Sequence, residues 1–111
     1  MGIPSGKLDR RIQIRRSTAT DDGLQMVETW ADHGSPIWAA RKDVSDGERA
    51  AAGWLEATSV ARFTLRSSSF TRGLTPKDRI ATDGRDYNIQ GIKELGRRDW
   101  LEITAIARVD Q

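Results

Sequence analysis

The chain has 111 residues, 37% of them hydrophobic and 31% charged, with four tryptophans, one histidine, no cysteine and a net charge of +2. That length suits one small domain spanning 1–111. The lack of cysteine excludes disulfides, cysteine-ligated zinc and thiol catalysis. Mean hydropathy is −0.60, and no apolar run approaches the roughly 18 residues of a membrane helix. The first residues, MGIPSGKLDRR, carry no apolar signal-peptide core. A soluble protein made in the cytoplasm, without a membrane partner, is therefore expected.

The segment LDRRIQIRR, 8–16, places Leu8, Ile12 and Ile14 on one parity and Arg11, Gln13 and Arg15 on the other. That pattern predicts a half-buried strand with a basic outer face. Residues 1–16 hold Lys7, Arg10, Arg11, Arg15 and Arg16 against the single acid Asp9. This basic end suits a polyanion or an acidic neighbour, and equally a solvated strand face. STATDDG, 17–23, reads as a loop. LQMVETWADHG, 24–34, reads as a second strand, broken by Ser35-Pro36. IWAARKDV, 37–44, resumes extended structure with Trp38 and Ala40 on one parity, and Trp38 is expected in the core.

SDGERAAAGWLEA, 45–57, differs in kind. Ser45 and Glu48 form a capping-box pattern, the alanines favour helix, and Gly53 weakens or ends it. A helix of about two turns is expected. TSVARFTLRSS, 58–68, is a strand with Ala61, Phe63 and Leu65 on one parity. SFTRGLTPKD is a long polar loop. In RIATDGRDYNIQGI, 79–92, Asp83-Gly84 sits between two apolar-polar runs, a strong signal for a type I′ hairpin. After a turn at 96–99, WLEITAIARV closes the chain with Leu101, Ile103, Ala105 and Ala107 on one parity. The count is about six strands and one short helix in an inserted loop, the pattern of an all-β sandwich or barrel.

Nothing in the pattern supports an enzyme. His33 lies alone in a turn-like stretch. Asp21, Asp22, Asp83 and Asp86 are accounted for as turn formers. No glycine-rich phosphate loop, nucleophile elbow, metal-ligand spacing or cofactor motif is present. The four tryptophans fall one per segment rather than in a stacking row, so base readout is unsupported, although a small basic nucleic-acid-binding barrel stays open. Two loops exceed what a compact domain needs, 43–58 and 67–78, and loops of that kind carry function. Trp54, beside Gly53, fits either a core or an interface anchor.

In this order the pieces resemble the phage head–tail joining family, the head-closure or stopper proteins of long-tailed phages and gene transfer agents. The resemblance runs from GKLDRRIQIRR through VETW and IWAARKDV, the acidic Ala-rich insertion SDGERAAAGWLEA and the strand VARFTLR. It continues through LTPKDRIATDGRDYNIQGI to WLEITAIAR. HGSP, 33–36, is more turn-like than the family's usual connection there.

The resemblance implies a small closed β-barrel that assembles as a homo-oligomeric ring of about six or twelve copies. The ring sits in the virion neck, at the head–tail interface, after assembly in the host cytoplasm. Its implied partners are adaptor and portal proteins on the head side, a tail terminator or tail tube on the other, and packaged double-stranded DNA through the lumen. No cofactor is implied. The candidate lumen or plug loop holds Asp43, Ser45, Asp46, Glu48, Arg49, Trp54 and Glu56. Candidate subunit or partner contacts are Arg11, Arg15, Arg16, Arg62, Arg66 and Arg72. The basic first strand and the acidic 43–56 segment are complementary, and pairing between neighbouring copies is expected. The alternatives are another neck component, adaptor or tail terminator, and the nucleic-acid-binding barrel.

Overall fold

The alternating positions become strands. The computed structural model of the chain describes residues 8–51, 53, 59–97 and 99–107. In chain order the elements are β1 (Arg10–Asp21), β2 (Met26–Asp32), β3 (Ile37–Asp43), helix α1 (Asp46–Ala51), β4 (Val60–Arg66), β5 (Arg79–Thr82), β6 (Arg85–Leu95) and β7 (Trp100–Ala107). A single turn of 3₁₀-helix, Thr71–Gly73, lies in the loop between β4 and β5.

Six strands form a ring of antiparallel pairings in the order β1-β3-β4-β7-β6-β5. The ring closes because β5 returns to β1 through Gln13↔Ala81, Ile14↔Ile80 and Arg15↔Arg79. The expected count of six is met. A seventh strand, β2, is attached outside the ring and pairs with β1 alone.

The interior is filled by the inward parity of each strand. Ile12 and Ile14 from β1, Phe63 and Leu65 from β4, Ile80 from β5, Tyr87 and Ile89 from β6, and Ile103 from β7 form one cluster. Phe63 and Tyr87 meet edge to face, centroids 5.5 Å apart at 80°, a favoured aromatic geometry. Ala39, Ala61, Ala105 and Ala107 sit among these large residues and are buried. Mixing small and large side chains is how a narrow ring interior is filled.

This packing overturns one expectation. Trp38 is not a core residue: it is 51% exposed, while Ala39 beside it is 0% exposed. Residues 37–40 are apolar on both parities, so alternation does not choose a face there. The narrow interior takes the methyl and turns the indole out.

The segment 17–23 differs from expectation as well. β1 runs unbroken to Asp21 and pairs with β2 from Arg15↔Asp32 to Asp21↔Met26. The connecting turn is held by Asp22, whose Oδ1 accepts the N–H groups of Leu24 and Gln25, each at 2.9 Å. Cross-strand neighbours such as Thr18↔Thr29 and Thr20↔Val27 suit a pleated surface. Neither face of this hairpin is buried, so no alternation announces it.

HGSP, 33–36, separates two segments that follow the same edge of β1. Arg15 faces Asp32 and Ile12 faces Ile37, so three steps of β1 match five of its partner. The bulge is stitched down by His33 N–H donating to the Ile14 carbonyl (2.8 Å) and by Gln13 Nε2 donating to the Gly34 carbonyl (3.0 Å). Phe70 stacks on His33 at 5.1 Å. At the β5–β6 turn, Asp83 (φ 53°) and Gly84 (φ 76°) are both left-handed, as a type I′ turn requires.

The insertion forms the expected short helix, Asp46–Ala51. Ser45 Oγ accepts the Glu48 N–H at 3.2 Å, and Gly53, at φ 79°, donates to the Ala50 carbonyl. The plug-loop candidates Trp54 and Glu56 lie outside the described residues.

Gly34 combines φ 76° with a ring in the way: a Cβ there would stand 2.6 Å from Phe70 Cε1 and Cζ. Gly34→Ala should therefore lower stability by about 1–3 kcal/mol, read as a shift of the urea midpoint. Adding Phe70→Leu should recover the steric part and leave the backbone part.

Candidate contact surfaces

Antiparallel pairing gives the ring two ends. At one, β3 ends, α1 begins and the Asp83-Gly84 turn returns the chain. The polar groups here converge on Arg41. Its guanidinium pairs with Asp43 (3.1 Å) and Asp83 (3.4 Å), donates to Ser59 Oγ (3.3 Å) and stands 5.7 Å from the centre of the Tyr87 ring. Arg10 also reaches Asp83 at 3.4 Å. Asp83 thus joins β1 and β3 to the hairpin turn, beyond its role as a turn former.

The candidate plug residues hang from this end. Asp43 is held by Arg41, and Ser45 caps α1. Asp46 is fully exposed and pairs with Arg49 at 3.5 Å. Glu48 departs from a complete capping box. Its carboxylate pairs with Arg62 on β4 at 2.6 Å instead of reaching back to Ser45. Arg62 lies 3.8 Å from Glu102 on β7 as well. α1 has no buried residue, and the Glu48–Arg62 pair ties it to β4.

At the other end β1 continues into the hairpin. Arg16 forks onto Asp78, with Nε and Nη2 each 2.9 Å from a carboxylate oxygen, and Nη2 also donates to the Gly73 carbonyl. Asp78 is 2% exposed, and its Oδ2 accepts the Thr75 N–H at 2.9 Å. Burial pushes this carboxyl up. The Arg16 hydrogen bonds, the Thr75 N–H and the charges of Arg16 and His33 outweigh burial and hold it below its ordinary value.

The remaining candidate arginines lie on the outer face. Arg15 pairs with Asp32 and donates to the Trp30 carbonyl, and Arg79 stacks 3.7 Å over the Trp30 ring. Arg11 covers Trp38 at 4.7 Å, and Arg66 covers Trp100 at 5.1 Å. Arg72 donates to Ser67 Oγ. Arg10, Arg15 and Arg16 therefore hold carboxylates of their own chain, and any pairing with a neighbour's 43–56 segment must compete with those contacts.

Between these residues lies a groove of about 380 Å³, open where β3 begins and β4 ends and lined by Leu8, Ile37, Trp38, Leu65, Arg66, Ser68 and Thr71. Sequence reasoning did not find it, because its lining comes from three separated segments. It also missed Arg41 and Asp78, whose roles depend on strands meeting around the ring. Among the described residues, no group of three or more His, Cys, Asp or Glu side chains is placed to hold a metal ion.

The model of a family described as phage head completion protein matches residues 3–108. Among solved structures, protein SF1141 from Shigella flexneri 2a is similar at 28% identity and a TM-score of 0.76, over 98% of this chain and 100% of that one. A chain of a native gene transfer agent virion is similar at 21% identity and a TM-score of 0.66, over 92% and 96%. The xkdH protein of the phage-like element PBSX from Bacillus subtilis matches at 14% identity and a TM-score of 0.51, over 92% and 96%. These last two are likenesses of fold. No curated protein matches the sequence.

Because Asp78 titrates below its unfolded value, its stabilisation is complete above the ordinary carboxylate range and is lost as pH falls through the lowered value. Asp78→Asn should cost about 1.5–3 kcal/mol at neutral pH. It should also flatten the acid limb of stability, measured by urea titrations between about pH 2 and 7.

Proposed function

The chain belongs to the phage head completion protein family, and from that premise we propose that it is the stopper of a phage or gene transfer agent particle. In this reading it assembles as a ring at the portal vertex, retains packaged DNA and presents the surface on which the tail docks. Its role is structural and non-enzymatic, and its place is the neck. The family match over residues 3–108 carries the reading, and the fold shared with a gene transfer agent virion chain supports it.

The geometry is compatible with that work. Most of the candidate arginines are held by carboxylates or stacked on indoles of the same chain. A net charge of +2 with these arginines so occupied suits a channel through which DNA must pass, since each free phosphate contact adds affinity and slows transit. The α1 segment, small and tethered at its edge, is the part of the described chain best suited to project into a lumen.

Particles made without this chain should contain filled heads that leak DNA and carry no tails, seen by electron microscopy and by nuclease sensitivity of the packaged DNA. Normal tailed particles would overturn the reading. Micromolar or tighter, salt-sensitive binding of naked DNA by the purified chain would favour the nucleic-acid-binding barrel instead.

A further inference from the structure

The β1–β2 hairpin is the least explained part of the molecule. Its seven register pairs carry it about 20 Å along the strand direction, in a chain whose longest dimension is 51 Å. Its tip is apolar and uncovered: Leu24 is 94% exposed, Met26 63% and Val27 38%. Past the two arginines at its base, Arg15 and Arg16, its charge is acidic: residues 17–32 contain Asp21, Asp22, Glu28 and Asp32 and no Lys or Arg. Exposed apolar side chains gathered on a projecting turn mark a contact site.

The groove beside Trp38 is the converse surface. It is apolar in its walls, contains no acid in its lining, and is flanked by Arg11, Arg66 and Arg72. Arg11 and Arg66 present their charge against indoles, and Arg72 is exposed.

The geometry points to insertion of the acidic, apolar-tipped hairpin of one copy into the cation-flanked groove of the next. Leu24 and Met26 fill the apolar volume, and Asp22 and Glu28 face the arginines. Two different patches of the same chain then meet head to tail, the kind of interface from which a ring is built when its rotation closes. The inference rests on the ring assembly of the proposed function and assigns the surfaces that build it. It also gives Trp38 a role, as an aromatic anchor at the centre of the contact.

The absence of cysteine makes the test direct. The full chain carrying Leu24→Cys and Ser68→Cys is oxidised, or treated with a short bis-maleimide, both purified and in assembled particles. A ladder of covalent multimers is expected. A Leu24→Cys, Gln90→Cys control should stay unlinked. Leu24→Asp, which changes only an exposed turn residue, should weaken self-association by about tenfold or more in sedimentation. Absence of the ladder in solution and in particles, or unaltered association of Leu24→Asp, overturns this interface. Neither result touches the head-completion reading, which stands or falls with the phenotype of particles lacking the chain.

Discussion

The Arg16–Asp78 ion pair lies one residue beyond the seam on which the whole sheet depends. β5 joins β1 through only three register pairs, the last being Arg15↔Arg79. The next residue of each strand is the arginine or the aspartate of the pair. A buried carboxylate is expensive unless its lone pairs are satisfied. Here a bidentate guanidinium and the Thr75 N–H satisfy it. The pair therefore fixes both the register of the seam and the path of the long loop arriving from β4. Without closure, β1 and β5 would each present a free edge, and the interior cluster would open along that line.

The two ends of the ring solve the same problem differently. At the insertion end, the residues that turn the chain are also the residues that bind it: Asp83 accepts from both Arg10 and Arg41. At the hairpin end, aromatic contacts share the work, with Phe70 on His33 and Arg79 on Trp30. Both arrangements occupy arginines inside the chain. This is why a sequence with a basic first strand does not present a continuous cationic face there, and why counting charges along the sequence overstated what β1 offers to a partner.

What the sequence disclosed depended on burial. β5, β6 and β7 each carry one dry parity, and β4 keeps Phe63 and Leu65 on one parity although Val60 and Thr64 are also buried, so alternation located all four. The Asp83-Gly84 turn was legible because only a few residue pairs accept two left-handed positions. Ser45 was legible as a cap for a similar reason, although the destination of Glu48 was not, since Arg62 is brought to it by the β3–β4 pairing. β2 and the outer half of β1 were obscure because water covers both faces. Trp38 was misplaced because four consecutive apolar residues left the parity undecided, and the width of the interior decided it. The groove, Arg41 and Asp78 arise from closure of the ring, which no local pattern encodes.

The exposed hairpin has a consequence for how related chains can differ in length. None of residues 17–32 is buried, so the core places no demand on how far the ribbon extends. Because facing alternates with a period of two, adding or deleting a facing pair of residues twice over lengthens or shortens the ribbon and keeps every remaining side chain on its face. The ring is tied to its dimensions by its interior, and the bulge by the ring of Phe70. Reach is thus an adjustable variable of this architecture, separable from the stability of the body that carries it.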